Sequence, residues 1–222
     1  MNLNKKLFPK VLVDQVMIGD FPGASLYKEK FMPRVEQWAQ NRDYDYLVID
    51  KKYYDFRCQQ QDIIAQRFIF FGLYEQYDYF IHIDADAVVT DNLKNIPLVD
   101  FGAVVDLEST AERFGNWMNL KHAYFNAGIF IVSSEIAKKL WHKANLLING
   151  HYDYLMHVPL RDQNVLNKWI DELGIRYTHL DNTWNTMPHQ PEWESRFNSK
   201  IIHYAGDKNL PSFLNSLNND FA

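Results

Sequence analysis

Tyr79-Phe80-Ile81-His82-Ile83 is a β-branched and aromatic run too short for a helix, and it leads straight into Asp84-Ala85-Asp86. It is the third strand-like run in an alternating series. Residues 10–18 (KVLVDQVMI) read as a buried first strand, closed by the turn residues of 19–23. Ser25 opens a helix to about residue 41, with Leu26, Phe31, Val35 and Trp38 on its apolar side. Residues 46–49 form a second strand and 59–76 a second helix. Strand, helix, strand, helix, strand requires a mostly parallel sheet with helices on both faces. The expected fold class is therefore α/β, a single Rossmann-like α/β/α domain.

The second half is patterned more loosely. Residues 101–105 read as a strand, and 107–119 as a polar active-site loop with a short helix. Residues 124–133 (YFNAGIFIVS) read as a strand bent at Gly128. Ser134 caps a helix to about 147, another helix covers 162–173, and late strands fall at 175–179 and 200–204. The tail is a loop and a weak helix. No repeat or linker interrupts the 222 residues, so they are expected to form one domain.

Composition excludes several classes. With 47% apolar and 15% aromatic residues the chain is not disordered. A single cysteine, Cys58, excludes a disulfide scaffold and makes the cytoplasm the expected setting. No run approaches eighteen apolar residues and the N-terminus lacks a signal-peptide core, so neither a membrane span nor a leader is expected. A net charge of -5 argues against general nucleic-acid binding. Monomer and homodimer both stay open.

Asp84 and Asp86 leave the C-terminal end of a buried strand, where open α/β sheets bind ligands. Residues two apart on extended chain point the same way. Two carboxylates aimed at one point repel unless a cation joins them. The plainer alternative is a solvated turn. Three further segments carry chemistry. Asn126 sits within an apolar strand, where an unpartnered amide costs about 1–3 kcal/mol. Asp162-Gln163 opens a helix, and Asp162 could serve only as its cap. His203 leaves a strand end, Gly206 permits a turn and Lys208 offers a cation on a flexible stem.

Taken together these segments resemble the family 8 glycosyltransferases, nucleotide-sugar-dependent enzymes of the glycosyltransferase A fold. The resemblance rests on the DxD (Asp84-Ala85-Asp86), an FNxG strand (Phe125 to Gly128), a DQxxLN helix start (Asp162 to Asn167) and an HxxGxxK-like ending (His203 to Lys208). It spans about residues 11 to 210, in a chain short for the family. It implies transfer of a hexose from a nucleotide-sugar, UDP-glucose or UDP-galactose first, to an unassigned acceptor (glycan, protein side chain or small molecule), with anomeric retention. On this resemblance Asp84, Asp86 and His203 hold Mn²⁺ or Mg²⁺, and Asp84 also approaches the ribose. Lys208, on the turn at Gly206, pairs with the diphosphate, and Arg67 contacts the donor. Asn126, Asp162 and Gln163 line the sugar and the reaction centre. Val13 and Asp14 sit at the base-binding end of strand one. Residues 10–106 would form the nucleotide-binding half and 107–210 the acceptor-side, metal-completing half.

Other residues read more plainly. His82 alternates with core residues and is expected to be structural. Cys58 shows no catalytic context. Trp117, Trp184 and Trp193 are candidate sugar-stacking residues, and 181–185 a candidate wall of the site. Three rival functions use the same acids: a haloacid dehalogenase-type phosphatase, a nucleotidyltransferase, and a sugar-binding relative without activity.

Overall fold

The computed structural model describes residues 8–17, 24–50, 65–151, 153–205 and 220. Six strands form the central sheet: β1 (Val11–Met17), β2 (Asp45–Asp50), β3 (Tyr79–Ile83), β5 (Phe101–Val105), β6 (Phe125–Ser133) and β7 (Tyr177–His179), in the order β2-β1-β3-β6-β5-β7. β1 runs parallel to β2 and β3, and β5 parallel to β7. Only β6 is reversed, antiparallel to both β3 and β5. The sheet is thus mostly parallel, as the alternating pattern predicts. β4 (Ala87–Val89) and β8 (Ile201–His203) form a separate antiparallel pair.

Strand alternation divides the core into two layers. Phe80, Phe130 and Val132 face Phe68, Phe71 and Trp169 on one side of the sheet. Val13, Ile81, Ile83, Ile129 and Ile131 pack with Val35 and Trp184 on the other. The helices covering these layers are α1 (Ala24–Leu26), α2 (Met32–Gln40), α3 (Glu108–Met118), α4 (Ser134–Ile148) and α5 (Arg161–Glu172), with a π-helical turn, Tyr27–Phe31, joining α1 to α2. Among the described residues no helix is long and apolar enough to cross a membrane.

Several local expectations change. Residues 107–119 are not mainly loop: Phe114 and Met118 bury one side of α3 four residues apart, enough to hold eleven residues in a helix. The described part of the expected 59–76 helix is a 3-10 helix, Ala65–Leu73. Its i,i+3 eclipsing shows in the parallel stack of Phe68 on Phe71, 6.0 Å between centroids. Ser25 and Ser134 lie inside their helices rather than capping them. β4 was not expected at all. Residues 59–64 and the tail from 206 to 219, including Gly206 and Lys208, lie outside the described residues, as does Cys58.

Candidate active site

The short β4/β8 ladder builds the centre of the site. Ala87 pairs with His203, and the Tyr204 N–H donates to the Asp86 carbonyl at 2.9 Å. The ladder thereby ties the turn after β3 to the end of β8. Asp84, Asp86 and His203 converge, with one ligand atom from each within 4.8 Å of the others. His203 Nε2 lies 3.3 Å from Asp86 Oδ1 and 3.8 Å from Asp84 Oδ2. Asp86 and His203 are buried, while Asp84 keeps part of its carboxylate open. Two carboxylates and an imidazole nitrogen form a donor set suited to a hard or borderline divalent cation. The close approach depends on Gly128, where a Cβ would fall 2.2 Å from His203 Cε1.

Arg67 organises the acidic side. Its Nη2 donates to Asp84 Oδ1 at 3.0 Å and to the Ala127 carbonyl at 2.8 Å. Its Nη1 is ion-paired with Asp162. Burial by itself would raise the Asp84 carboxyl, but Arg67, then the hydrogen bond to His82, outweigh it and hold the group well below the usual carboxylate range. Asp162 is therefore not a helix cap. The N-cap of α5 is Leu160, in a left-handed conformation, and Asp162 projects to Arg67.

Strand one buttresses this turn from beneath. Asp14 stands opposite His82 in the parallel register, and the His82 Nδ1–H donates to Asp14 Oδ1 at 2.6 Å. His82 Nε2 lies 2.7 Å from Arg67 Nη2 and 3.1 Å from Asp84 Oδ1. Burial pushes the Asp14 carboxyl up, with His82 opposing. Burial would lower His82, yet the Asp14 charge and the hydrogen bonds to Asp14 and Asp84 together outweigh it and leave His82 raised. Gln15 accepts from the Tyr46 hydroxyl at 2.7 Å and donates to the Asp84 carbonyl at 3.2 Å. Val13 and Asp14, expected at the base-binding end of strand one, both turn their side chains inward. Val13 is sealed in the core and Asp14 is fully buried against His82. The structural reading of His82 agrees with its place in this network.

On the other side of the centre, Asp106 follows β5 and accepts from Gln163 Nε2 at 2.6 Å and from the Leu107 N–H at 2.7 Å. Burial raises its carboxyl, and those two bonds oppose the rise. Gln163 in turn accepts from the Ala127 N–H at 3.0 Å. Asn126 accepts from the Gly128 N–H and from Asn185 Nδ2, each at 2.9 Å. Asn167 clasps the Phe125 N–H and carbonyl, at 3.0 and 2.9 Å. The FNxG strand and the DQxxLN helix are thus one hydrogen-bonded unit.

The wall expected at 181–185 contributes through Asn185, which is buried against His203. Trp184 belongs to the core and offers no free face for a sugar, and Trp193 packs edge-on against Tyr204. Trp117 alone of the three is half exposed. Sequence reasoning did not single out Asp106 or Gln15, and took Asn185 only as part of the 181–185 wall. Asp106 had a signal, an acid directly after a strand, as Asp84 has.

The fold is the glycosyltransferase A fold. The chain belongs to glycosyl transferase family 8, whose sequence profile matches residues 25–209. That match begins after β1. A curated relative, the glycosyltransferase GlyA of Streptococcus pneumoniae serotype 4, is 31% identical over 134 residues. The match takes in 55% of this chain but 18% of that protein, so the chain spans about a fifth of its relative's length. Among solved structures, a glycosyltransferase involved in glycosylation of the major capsid of PBCV-1 matches with a TM-score of 0.64 at 13% identity, over 95% of this chain and 100% of that one. The bifunctional glycosyltransferase WbbM matches at 0.60 and 19%, over 92% of this chain and 47% of that one. The galactosyltransferase LgtC, solved with donor and acceptor sugar analogues, matches at 0.51 and 15%, over 88% and 87%.

Proposed function

We propose that this chain transfers a hexose from a nucleotide-sugar, UDP-glucose or UDP-galactose first, to an acceptor hydroxyl, with retention at the anomeric carbon. The observation that carries the reading is the convergence of Asp84, Asp86 and His203 at the strand ends of this family's fold. Those three residues would hold Mn²⁺ or Mg²⁺. The bound cation supplies a Lewis acid for the diphosphate leaving group.

The chain's own residues set the geometry. Arg67 keeps Asp84 ionised and claims its Oδ1, leaving Oδ2 turned toward His203. Asn126, Asp162 and Gln163 are proposed to line the sugar and the reaction centre. Gln163 has already committed one hydrogen and one lone pair to Asp106 and Ala127, so its orientation is set before substrate arrives. Pre-set dipoles of this kind cost no reorganisation during reaction. Lys208 is proposed to meet the diphosphate charge, with Gly206 proposed to permit the turn that brings it there. Residues 10–106 are proposed as the donor half and 107–210 as the acceptor side, working in the cytoplasm as a monomer or homodimer.

Thermal-shift titration with Mn²⁺ and a panel of nucleotides tests the donor. A ligand bound only by the folded form raises the melting temperature with its concentration. UDP with Mn²⁺ is expected to exceed Mn²⁺ alone. A shift with GDP and none with UDP would overturn the donor assignment. Metal-dependent release of UDP from UDP-glucose or UDP-galactose then separates an enzyme from a sugar-binding relative without activity. NMR of fresh product reads retention directly, and an inverted anomeric proton would refute it.

A further inference from the structure

We infer that Asn185 is a positioning residue for His203: together with Asn126 it dictates which imidazole nitrogen carries hydrogen and leaves the other bare toward the carboxylate pair. The inference rests on the proposed cation site and adds what prepares it.

The argument starts from a group whose role is fixed. A backbone N–H can only donate, so the Gly128 N–H, 2.9 Å from Asn126, must meet the Asn126 amide oxygen. That oxygen also stands 2.9 Å from the Asn185 side chain, which must therefore turn its NH₂ toward Asn126. Asn185 Oδ1 is then left facing His203 Nδ1 at 2.8 Å, and an amide oxygen only accepts. His203 must carry hydrogen on Nδ1. In the neutral ring Nε2 is then a bare lone pair, 3.3 Å from Asp86 Oδ1 and 3.8 Å from Asp84 Oδ2.

Without this relay the balance would reverse. Two carboxylates beside Nε2 attract a hydrogen onto that nitrogen, and an Nε2–H ring cannot ligate a cation there. Asn185 and Asn126 oppose the tautomer that the acids favour. The relay is sheltered from water, since Asn185 and His203 are both buried. It is delivered by backbone pairing: the His203 N–H donates to the Thr186 carbonyl at 2.9 Å, and the Thr186 N–H to the Ile201 carbonyl at 3.1 Å, so residue 185 arrives beside residue 203. Partners that orient a ligating histidine commonly change metal affinity by about 10–100-fold.

The test uses metal-free protein with ¹⁵N-labelled histidine, at a pH where the imidazoles are neutral. The His203 signals are assigned by their loss in His203→Gln. Long-range ¹H–¹⁵N spectra are expected to show the Nδ1–H form in the wild type and a shift toward Nε2–H in Asn185→Leu. Mn²⁺ affinity in Asn185→Leu is expected to fall about 10–100-fold. Asn185→Asp keeps an acceptor for Nδ1–H, so it should retain the wild-type tautomer even if Asn185→Leu fails to fold. An Nε2–H form in the wild type would overturn the inference. So would an unchanged tautomer and Mn²⁺ affinity in folded Asn185→Leu. If the wild type binds no Mn²⁺, the cation site itself fails, and the metal-free tautomer still decides the role of Asn185.

Discussion

Gly128 faces the ring of His203 so closely that a Cβ on it would lie 2.2 Å from Cε1 and 2.8 Å from Nδ1. The ring cannot withdraw without breaking its bond to Asn185, so Gly128→Ala must displace the histidine or bend β6. Overpacking of this kind typically costs about 1–3 kcal/mol. The expected outcome is a folded protein with a lowered melting temperature and Mn²⁺ affinity reduced at least about tenfold, as for loss of an orienting partner. Circular dichroism and Mn²⁺ titration check it, and wild-type Mn²⁺ binding would contradict it.

Arg67→Met leaves Asp84 and Asp162 facing each other across the site without their shared cation. Removing one partner of a partly buried ion network should cost about 3 kcal/mol at pH 7. The pH dependence has a definite sign. Asp84 has its folded pKa depressed below the ordinary 3.8, so its contribution is fully present above that value. It is lost as pH falls through the depressed folded value. Urea melts should therefore show the gap between wild type and Arg67→Met narrowing as the carboxylates protonate in acid. A constant gap down to pH 2 would assign the effect to packing instead.

Asn167→Leu removes a clasp on both polar groups of Phe125 and a bond to the Gln163 carbonyl. The replacement is close in size but leaves buried donors and acceptors unmet, at about 2–3 kcal/mol. The urea midpoint should drop with the slope unchanged. A smaller loss than about 1 kcal/mol would show that water reaches the gap.

Asp86→Asn replaces a charged oxygen 3.3 Å from His203 Nε2 with a neutral amide. Metal-dependent turnover is expected to fall by more than about 100-fold, the scale of losing one transition-state interaction of about 3 kcal/mol. The melting curve of the metal-free protein should hold or rise, because repulsion between Asp84 and Asp86 is relieved. Normal metal-dependent rates in a folded Asp86→Asn protein would remove Asp86 from the proposed cation site.

Lys208→Ala is expected to weaken nucleotide-sugar binding and turnover while barely moving the melting temperature of the free protein. A lysine that arrives after the ligand contributes to the bound state alone. Unchanged donor kinetics would remove Lys208 from the site.

Much of this protein was legible in one dimension. Short β-branched runs alternating with helical segments determine a mostly parallel sheet, because period and length are local properties. Asp84 and Asp86 were visible because a buried strand must deliver the residues after it to the sheet's edge. His203, Asn126 and Asp162-Gln163 were visible through the family resemblance of the motifs that hold them. What the sequence could not show is which way strand one points its chemistry. Asp14 was expected at the base-binding end of strand one, and parallel pairing puts its side chain directly opposite His82, where the two bury each other. Only the tertiary structure decided that β4 pairs with β8, that Asp106 stands over Gln163, and that Asn185 meets His203. These are contacts between segments far apart in the chain, set by strand register and helix packing. No local pattern encodes register across such a span, because each segment's periodicity says which face it buries and not which residue it will meet there.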